Sequence, residues 1–222
     1  MDKQQAIVIG LGQFGMALAR ALARQGVEVV AVDRRMPQVE AAADFATEAL
    51  QLDGMSEDDL ARLRPAERDL CVCAIGDDDR EASIVVTTLL RQMGARRVVA
   101  RATDALHERI LTLVGAHEVV MPERHFGERL AVRLAQKRVL DVQALGAELN
   151  LTELVAPPAL QGRPLAELRL PQRFRLTVAA IRRPHGGGTQ VLMPSADLEL
   201  LAGDVLVVVG PPGAAEDLVG GV

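Results

Sequence analysis

The sequence predicts an α/β fold, a doubly wound parallel sheet, followed by a small α+β domain. Three observations predict it. Over the first 121 residues, short β-branched apolar runs alternate with helical stretches, the pattern of strands covered by helices on both faces. The first of these runs, AIVI (6–9), leads straight into GLGQFG (10–15), which fits G-x-G-x-x-G, and a helix follows at once. From Val139 onward the alternation stops, and short strand candidates lie between turn clusters such as Pro157-Pro158 and Gly186-Gly187-Gly188. The expected domains are therefore 1–136 and 137–222, with no internal repeat in either.

In the glycine motif each glycine has a distinct task. Gly10 permits the tight turn, Gly12 lets the backbone approach a pyrophosphate, and Gly15 lets the helix pack close to the sheet. The helix N-terminus adds unpaired N–H groups and partial positive charge. A second apolar run (27–32) ends in Asp33, about twenty residues beyond the glycines, where a carboxylate accepts hydrogen bonds from a ribose 2′-hydroxyl. Strand, glycine turn, helix and acid together mark a Rossmann nucleotide-binding unit. The spacing does not say which nucleotide binds.

Pro37 suits the first turn of the next helix (38–45), and a third strand (49–52) ends in Asp53-Gly54. Ser56 reads as an N-cap followed by the acids Glu57, Asp58 and Asp59. A fourth strand (70–74) runs into Ile75-Gly76. Asp77-Asp78-Asp79 then opens a long helix stopped by Gly94; helix-start charge accounts for these acids, with a metal site as the alternative. A fifth strand (97–100) ends at Arg101, Asp104 caps a helix closed by Gly115, and a sixth strand (118–121) is broken by Pro122. Right-handed crossovers and the position of the motif imply the strand order 3-2-1-4-5-6. The helix from Glu123 to about Arg138 keeps Phe126, Leu130, Ala131 and Leu134 on one face. That face packs either on a second subunit or on its own sheet. The second domain offers strands at 139–145, 151–155, 176–181, 190–193 and 205–209 and a short helix at 165–168, largely antiparallel by their hairpin-length connections.

Composition excludes several classes. A formal charge of −5, no Trp, no Tyr and 4 Phe leave neither a basic stripe nor a stacking platform for nucleic acid. The N-terminus does not read as a signal peptide, and no apolar stretch approaches the ~18–20 residues that span a bilayer; a cytoplasmic protein is expected. Cys71 and Cys73 lie at i and i+2 in a strand and share a face as small buried hydrophobes, without the C-x-x-C spacing of a redox or zinc site.

Several stretches resemble a known family. AIVIGLGQFGMALA, VVAVDRR, CVCAIGDD, VVARATD and VGAHEVVMPERHFGERLA, with LQGRPLAELRL and LLAGDVLVVVG in the second half, resemble the KtrA/TrkA-type RCK proteins. These are the cytoplasmic gating subunits of bacterial potassium uptake systems. One Rossmann half plus one small half matches the single-repeat KtrA type. The resemblance implies homodimers assembled into a homo-octameric ring, on the inner face of the membrane beneath a KtrB/TrkH-like membrane subunit. ATP or ADP, or NAD(H), would occupy the cleft and shift the shape of the ring. The cofactor-binding residues it implies are Gly10, Gly12, Gln13, Phe14, Gly15, Asp33, Arg34, Asp53, Gly54, Ala74, Ile75, Gly76 and Arg101. Of these, the glycines would cradle phosphates, Asp33 would hold the ribose, Asp53 would lie by the adenine and Arg101 would face phosphate. Glu123 would help hold a divalent cation, Mg²⁺ or Ca²⁺, between two subunits' nucleotides. Cyclic di-AMP would bind in the second domain near Arg169, Arg173 and Arg175, which solvated surface arginines explain equally well.

One position departs from the family. Many members carry G-x-G-R-F-G, and here the arginine is Gln13. A neutral amide bonds phosphate without charge assistance, which is worth roughly a factor of two in strength. This shifts work to Arg101 and leaves the nucleotide open between ATP or ADP and NAD(H). The rival class is an NAD-dependent oxidoreductase, which needs an acid–base residue beside a substrate pocket. His107, His117, His125 and His185 are the candidates, none in a catalytic spacing, so the expected class is a regulator rather than an enzyme.

Overall fold

The computed structural model describes residues 3–76 and 79–221. Asp77 and Asp78 of the acidic turn lie outside the described residues. The chain divides into two compact units, 1–124 and 125–222.

The first unit is a six-stranded parallel sheet in the order β3-β2-β1-β4-β5-β6, as the crossover argument required. Its strands are β1 Gln5–Ile9, β2 Glu28–Asp33, β3 Glu48–Gln51, β4 Leu70–Cys73, β5 Val98–Arg101 and β6 Glu118–Val120. Between them run α1 Gln13–Arg24, α2 Met36–Ala43, α3 Glu57–Arg62, α4 Arg80–Gln92 and α5 Ala105–Leu113. The strand alternation divides the core into two layers. Ile7, Ile9, Cys71 and Cys73 face one side with Leu60, Val86, Leu90 and Leu111. Val8, Ala31, Val72 and Ala74 face the other with Ala19 and Ala42. The buried part of the second layer is mostly alanine and valine, with Leu11. β3 departs from the apolar expectation: EALQ is half polar because it is an edge strand.

Local capping follows the sequence. Ser56 accepts from the Asp59 N–H, Asp79 from that of Ala82 and Asp104 from that of His107, so α3, α4 and α5 each begin on a side-chain cap. Gly94 and Gly115 end their helices at φ +77° and +103°.

The helix α6, Pro122–Ala135, begins in the first unit and continues into the second. None of its residues is buried; Phe126 is 66% and Leu134 72% exposed.

The second unit is an antiparallel five-stranded sheet ordered β10-β9-β11-β8-β7. Its strands are β7 Val139–Ala144, β8 Asn150–Val155, β9 Thr177–His185, β10 Gly188–Leu192 and β11 Val205–Gly210. Among the described residues only β7–β8 and β9–β10 are hairpins. The last strand inserts between β8 and β9, bonded to both. Helices α7 Leu165–Leu168, α8 Leu170–Phe174 and α9 Ala214–Gly220 accompany the sheet, and Leu168, Leu170 and Leu218 join Leu154, Ile181, Leu206 and Val208 in one core. Sequence reading found α7 but missed α8, which is five residues long, and α9. The corner before β11 is pinned by a charge. Asp204, with no exposed surface, accepts from Arg183 Nε (2.9 Å) and Nη2 (2.8 Å) and from the Leu201 N–H (2.8 Å). Arg183 Nη2 also donates to the Glu199 carbonyl. No helix among the described residues is long and apolar enough to cross a membrane.

Candidate functional site

The parallel strands of the first unit end along one edge, and the connections after β1 and β4 part there because α1 packs on one face of the sheet and α4 on the other. A cavity of about 340 Å³ opens at this point, where ligands of doubly wound sheets bind. Its floor is the turn after β1. Gly10 has φ +92°, and a Cβ on it would sit 2.9 Å from the Ile75 nitrogen. Its own N–H is bonded to the Val32 carbonyl. Gly12 differs: a Cβ there would meet nothing within 4 Å, so it fronts open space in the cleft. That is the room a pyrophosphate needs. Gly15 does not line the cavity. A Cβ on it would overlap the Gly10 carbonyl oxygen, so it serves the approach of α1 to the turn and makes no wall of the site.

The N-terminus of α1 opens beside Gly12. It carries no capping side chain and no acid in its first turn, in contrast to α3, α4 and α5. Its first N–H groups are thus left for an anionic ligand. Asp33, 6% exposed, stands at the end of β2 and also lines the cavity. One carboxylate oxygen accepts from the Leu11 N–H at 2.7 Å and the other from the Arg35 N–H at 2.9 Å and from Arg35 Nε at 3.3 Å. The oxygen bonded to Leu11 retains a lone pair, so the carboxylate is oriented by the protein and still able to accept from a hydroxyl.

Every cofactor-binding residue expected from the sequence except Gly15 lines this one cavity: Gly10, Gly12, Gln13, Phe14, Asp33, Arg34, Asp53, Gly54, Ala74, Ile75, Gly76 and Arg101. Glu123 lines it too. Sequence reading missed Ile9, Arg35, Leu52, Met55, Asp79 and Ala82. Arg35 was legible as the neighbour of Arg34. Asp79 was hidden by its role as a helix cap, which it performs with one carboxylate oxygen while the other accepts from Arg34 Nη1 at 3.1 Å. Asp53 lines the cavity, with Oδ1 accepting from the Met55 N–H.

Three ion pairs lie among the described residues of the cavity. Arg34 bonds Asp79, Arg35 bonds Asp33, and Arg101 bonds Glu123 with Nη2–Oε1 at 2.6 Å. Asp53 adds a further carboxylate, so the described lining residues hold three guanidiniums against four carboxylates. Glu123 therefore enters the cavity as the partner of an arginine. Among the described residues no group of three or more His, Cys, Asp or Glu is placed to hold a metal ion.

The histidines lie elsewhere. His107, 2% exposed, is within hydrogen-bond reach of Ser83 Oγ (3.1 Å) and Thr103. His117 Nδ1 accepts from the Val98 N–H. His125 and His185 are exposed. None lines the cavity. Burial pushes the Cys71 thiol up to about 12, against the lowering charge of Arg68, and burial likewise raises Cys73. In the second unit Arg169 lines a shallow groove with Leu165, Pro171, Val178 and Pro194. Arg173 stacks over the Phe174 ring and Arg175 closes α8 in the left-handed region, and neither lines that groove.

A doubly wound sheet with an uncapped glycine-turn cleft, followed by an antiparallel β domain, defines a two-domain protein of the RCK class. Residues 6–122 match the TrkA-N domain and residues 152–219 the TrkA-C domain. The chain belongs to the Ktr/TrkA family of potassium uptake proteins. It is 36% identical over 210 residues to the Ktr system potassium uptake protein A of Vibrio alginolyticus, covering 95% of this chain and 93% of that one. It is 33% identical over 208 residues to the Ktr system potassium uptake protein C of Bacillus subtilis, covering 94% and 92%. Its fold superposes on that of the GsuK channel bound to NAD with a TM-score of 0.68 at 20% identity, over 99% of this chain and 40% of that one.

Proposed function

We propose that this chain is the nucleotide-binding cytoplasmic gating subunit of a potassium uptake system, acting on a KtrB/TrkH-like membrane subunit. The observation that carries the reading is the cavity itself. An uncapped helix N-terminus, open space over Gly12, an oriented Asp33 and the guanidinium of Arg101 converge on one space. The α1 N–H groups and Arg101 bind phosphates, Asp33 accepts from the ribose, and Asp53 faces the adenine. The described lining residues supply binding and orientation, and none of them is a histidine, lysine, tyrosine or cysteine, which favours a sensor over an oxidoreductase.

A ligand shifts a two-state assembly only through its differential affinity for the two states. Couplings of ~1–3 kcal/mol at each of several equivalent sites exceed together the ~5.5 kcal/mol that moves a population from 1:99 to 99:1. Ring assembly supplies those sites. The surface offers two separate apolar helical stripes, Phe126, Leu130 and Leu134 on α6 and Leu106, Ile110 and Leu113 on α5. Two distinct two-fold contacts, alternating around an axis, generate a closed ring of dimers. An octamer is the assembly proposed, with Glu123 contributing to a divalent cation site once two subunits meet. The groove beside Arg169 is the proposed cyclic di-AMP site.

The test is isothermal titration with ATP, ADP, NAD⁺ and NADH, with and without Mg²⁺. ATP or ADP binding supports nucleotide gating. Preference for NAD(H) places the chain among redox-sensing regulators, a reading favoured by Gln13 and by the excess carboxylate in the cavity. Absence of binding by all four overturns the proposal.

A further inference from the structure

The geometry points to Glu123 as a built-in anionic competitor that sets which ligands the cleft accepts. We propose that its carboxylate occupies the Arg101 guanidinium until a ligand phosphate displaces it. The inference rests on the nucleotide reading above.

The two partners are held very differently. Arg101 is the last residue of β5, and its side chain is only 13% exposed. It is wedged beside Gly76, whose missing side chain leaves room for the guanidinium, and it lies 5.9 Å from the centre of the Phe14 ring. The cation is therefore fixed by the walls of the cavity. Glu123 is 61% exposed, sits in the first turn of α6, and reaches Arg101 with a single carboxylate oxygen. It has water on its other side and can leave at small desolvation cost.

Addition of a phosphate beside this pair would place like charges on one guanidinium, in a cavity whose described lining already holds more carboxylates than guanidiniums. Exchange avoids that repulsion. The incoming phosphate takes the fixed cation and the mobile carboxylate is released, available to a divalent cation where one is present. Such a competitor acts selectively: it penalises ligands that must bond Arg101 and is indifferent to those that do not. It also ties occupancy of the cleft to the first turn of α6, the helix whose apolar face is exposed.

The test compares ADP with adenosine, titrated calorimetrically in EDTA so that no divalent ion engages Glu123. Glu123→Gln removes the charge at an exposed position and leaves the fold intact. The expected result is ADP binding about three- to tenfold tighter than wild type, with adenosine affinity changed by less than about twofold. In the Arg101→Gln background the gain from Glu123→Gln disappears, since the competitor has nothing left to block. Unchanged or weaker ADP binding by Glu123→Gln overturns the competitor role, as does an equal gain for adenosine. Wild-type protein that binds neither ligand overturns the competitor, whereas the nucleotide reading falls only when ATP, NAD⁺ and NADH fail to bind as well.

Discussion

The guanidinium of Arg101 lies so close to the α-carbon of Gly76 that a methyl group on that carbon would overlap it. Gly76→Ala therefore expels the arginine from its slot while leaving the backbone undisturbed, since the obstacle is the end of a flexible side chain. Nucleotide affinity is expected to fall about tenfold, the loss of one charge-assisted contact. The unfolding midpoint should hardly move. Calorimetric titration alongside thermal unfolding separates the two effects, and a wild-type Kd in the variant would show that Arg101 does not touch the ligand.

Gly12 and Gly15 should fail in opposite ways. Gly12→Val fills open space above the turn, so the protein folds and binding is abolished. Gly15→Ala drives a Cβ into the Gly10 carbonyl and should destabilise the first unit by about 1–3 kcal/mol. Denaturant unfolding followed by circular dichroism measures the second and nucleotide titration the first. Equal stability losses in both variants would contradict the division.

Asp33→Ala has a double cost. The Leu11 and Arg35 N–H groups lose their acceptor, worth about 1–3 kcal/mol of stability, and a ligand with a free 2′-hydroxyl loses its partner. Adenosine and its 2′-deoxy analogue distinguish the parts: wild type should favour the hydroxyl form and the variant should bind both alike.

The Asp204–Arg183 pair makes the second unit acid-sensitive. Burial pushes the Asp204 carboxyl up, but the Arg183 hydrogen bonds, the Leu201 N–H and the Arg183 charge outweigh it and hold the group below the usual carboxylate range. A carboxyl depressed in the folded state contributes stability that is present above its unfolded pKa, near 3.9, and is lost as pH falls through the folded value. Asp204→Asn should cost about 3 kcal/mol at pH 7 by stranding Arg183, and should flatten the acid limb of the stability curve. Urea unfolding at pH 7 and below pH 4 gives both numbers; an unaltered acid limb would remove Asp204 as its source.

If α5 and α6 supply two different contacts, breaking one should leave dimers joined by the other. Phe126→Asp and Leu113→Asp are each expected to reduce a ring to dimers, and the double variant to monomers, by light scattering after size-exclusion. An intact ring in Phe126→Asp would take α6 out of the assembly.

Much of the first unit was legible because its signals are local. Caps at Ser56 and Asp104 mark helix starts, and a glycine turn after an apolar strand with the crossover rule gives the strand order without any long-range contact being known. The second unit was less legible. Its strands were found, but the insertion of β11 between β8 and β9 is a pairing between distant segments, and no local pattern encodes it. In the site, residue types at motif positions were visible. The pairing of Arg101 with Glu123 was not, nor was Asp79 at the rim, because each depends on where separate loops converge.

The two thiols carry a practical consequence. Cys71 and Cys73 are sealed in the sheet, and a Cys71 thiol raised to about 12 leaves almost no reactive thiolate at neutral pH. An alkylating reagent should therefore ignore the native chain and modify it only when the sheet opens, so the rate of labelling becomes a clock for unfolding. A single cysteine introduced on α6 would carry a probe against a silent background, and would report movement of that helix as ligand is added.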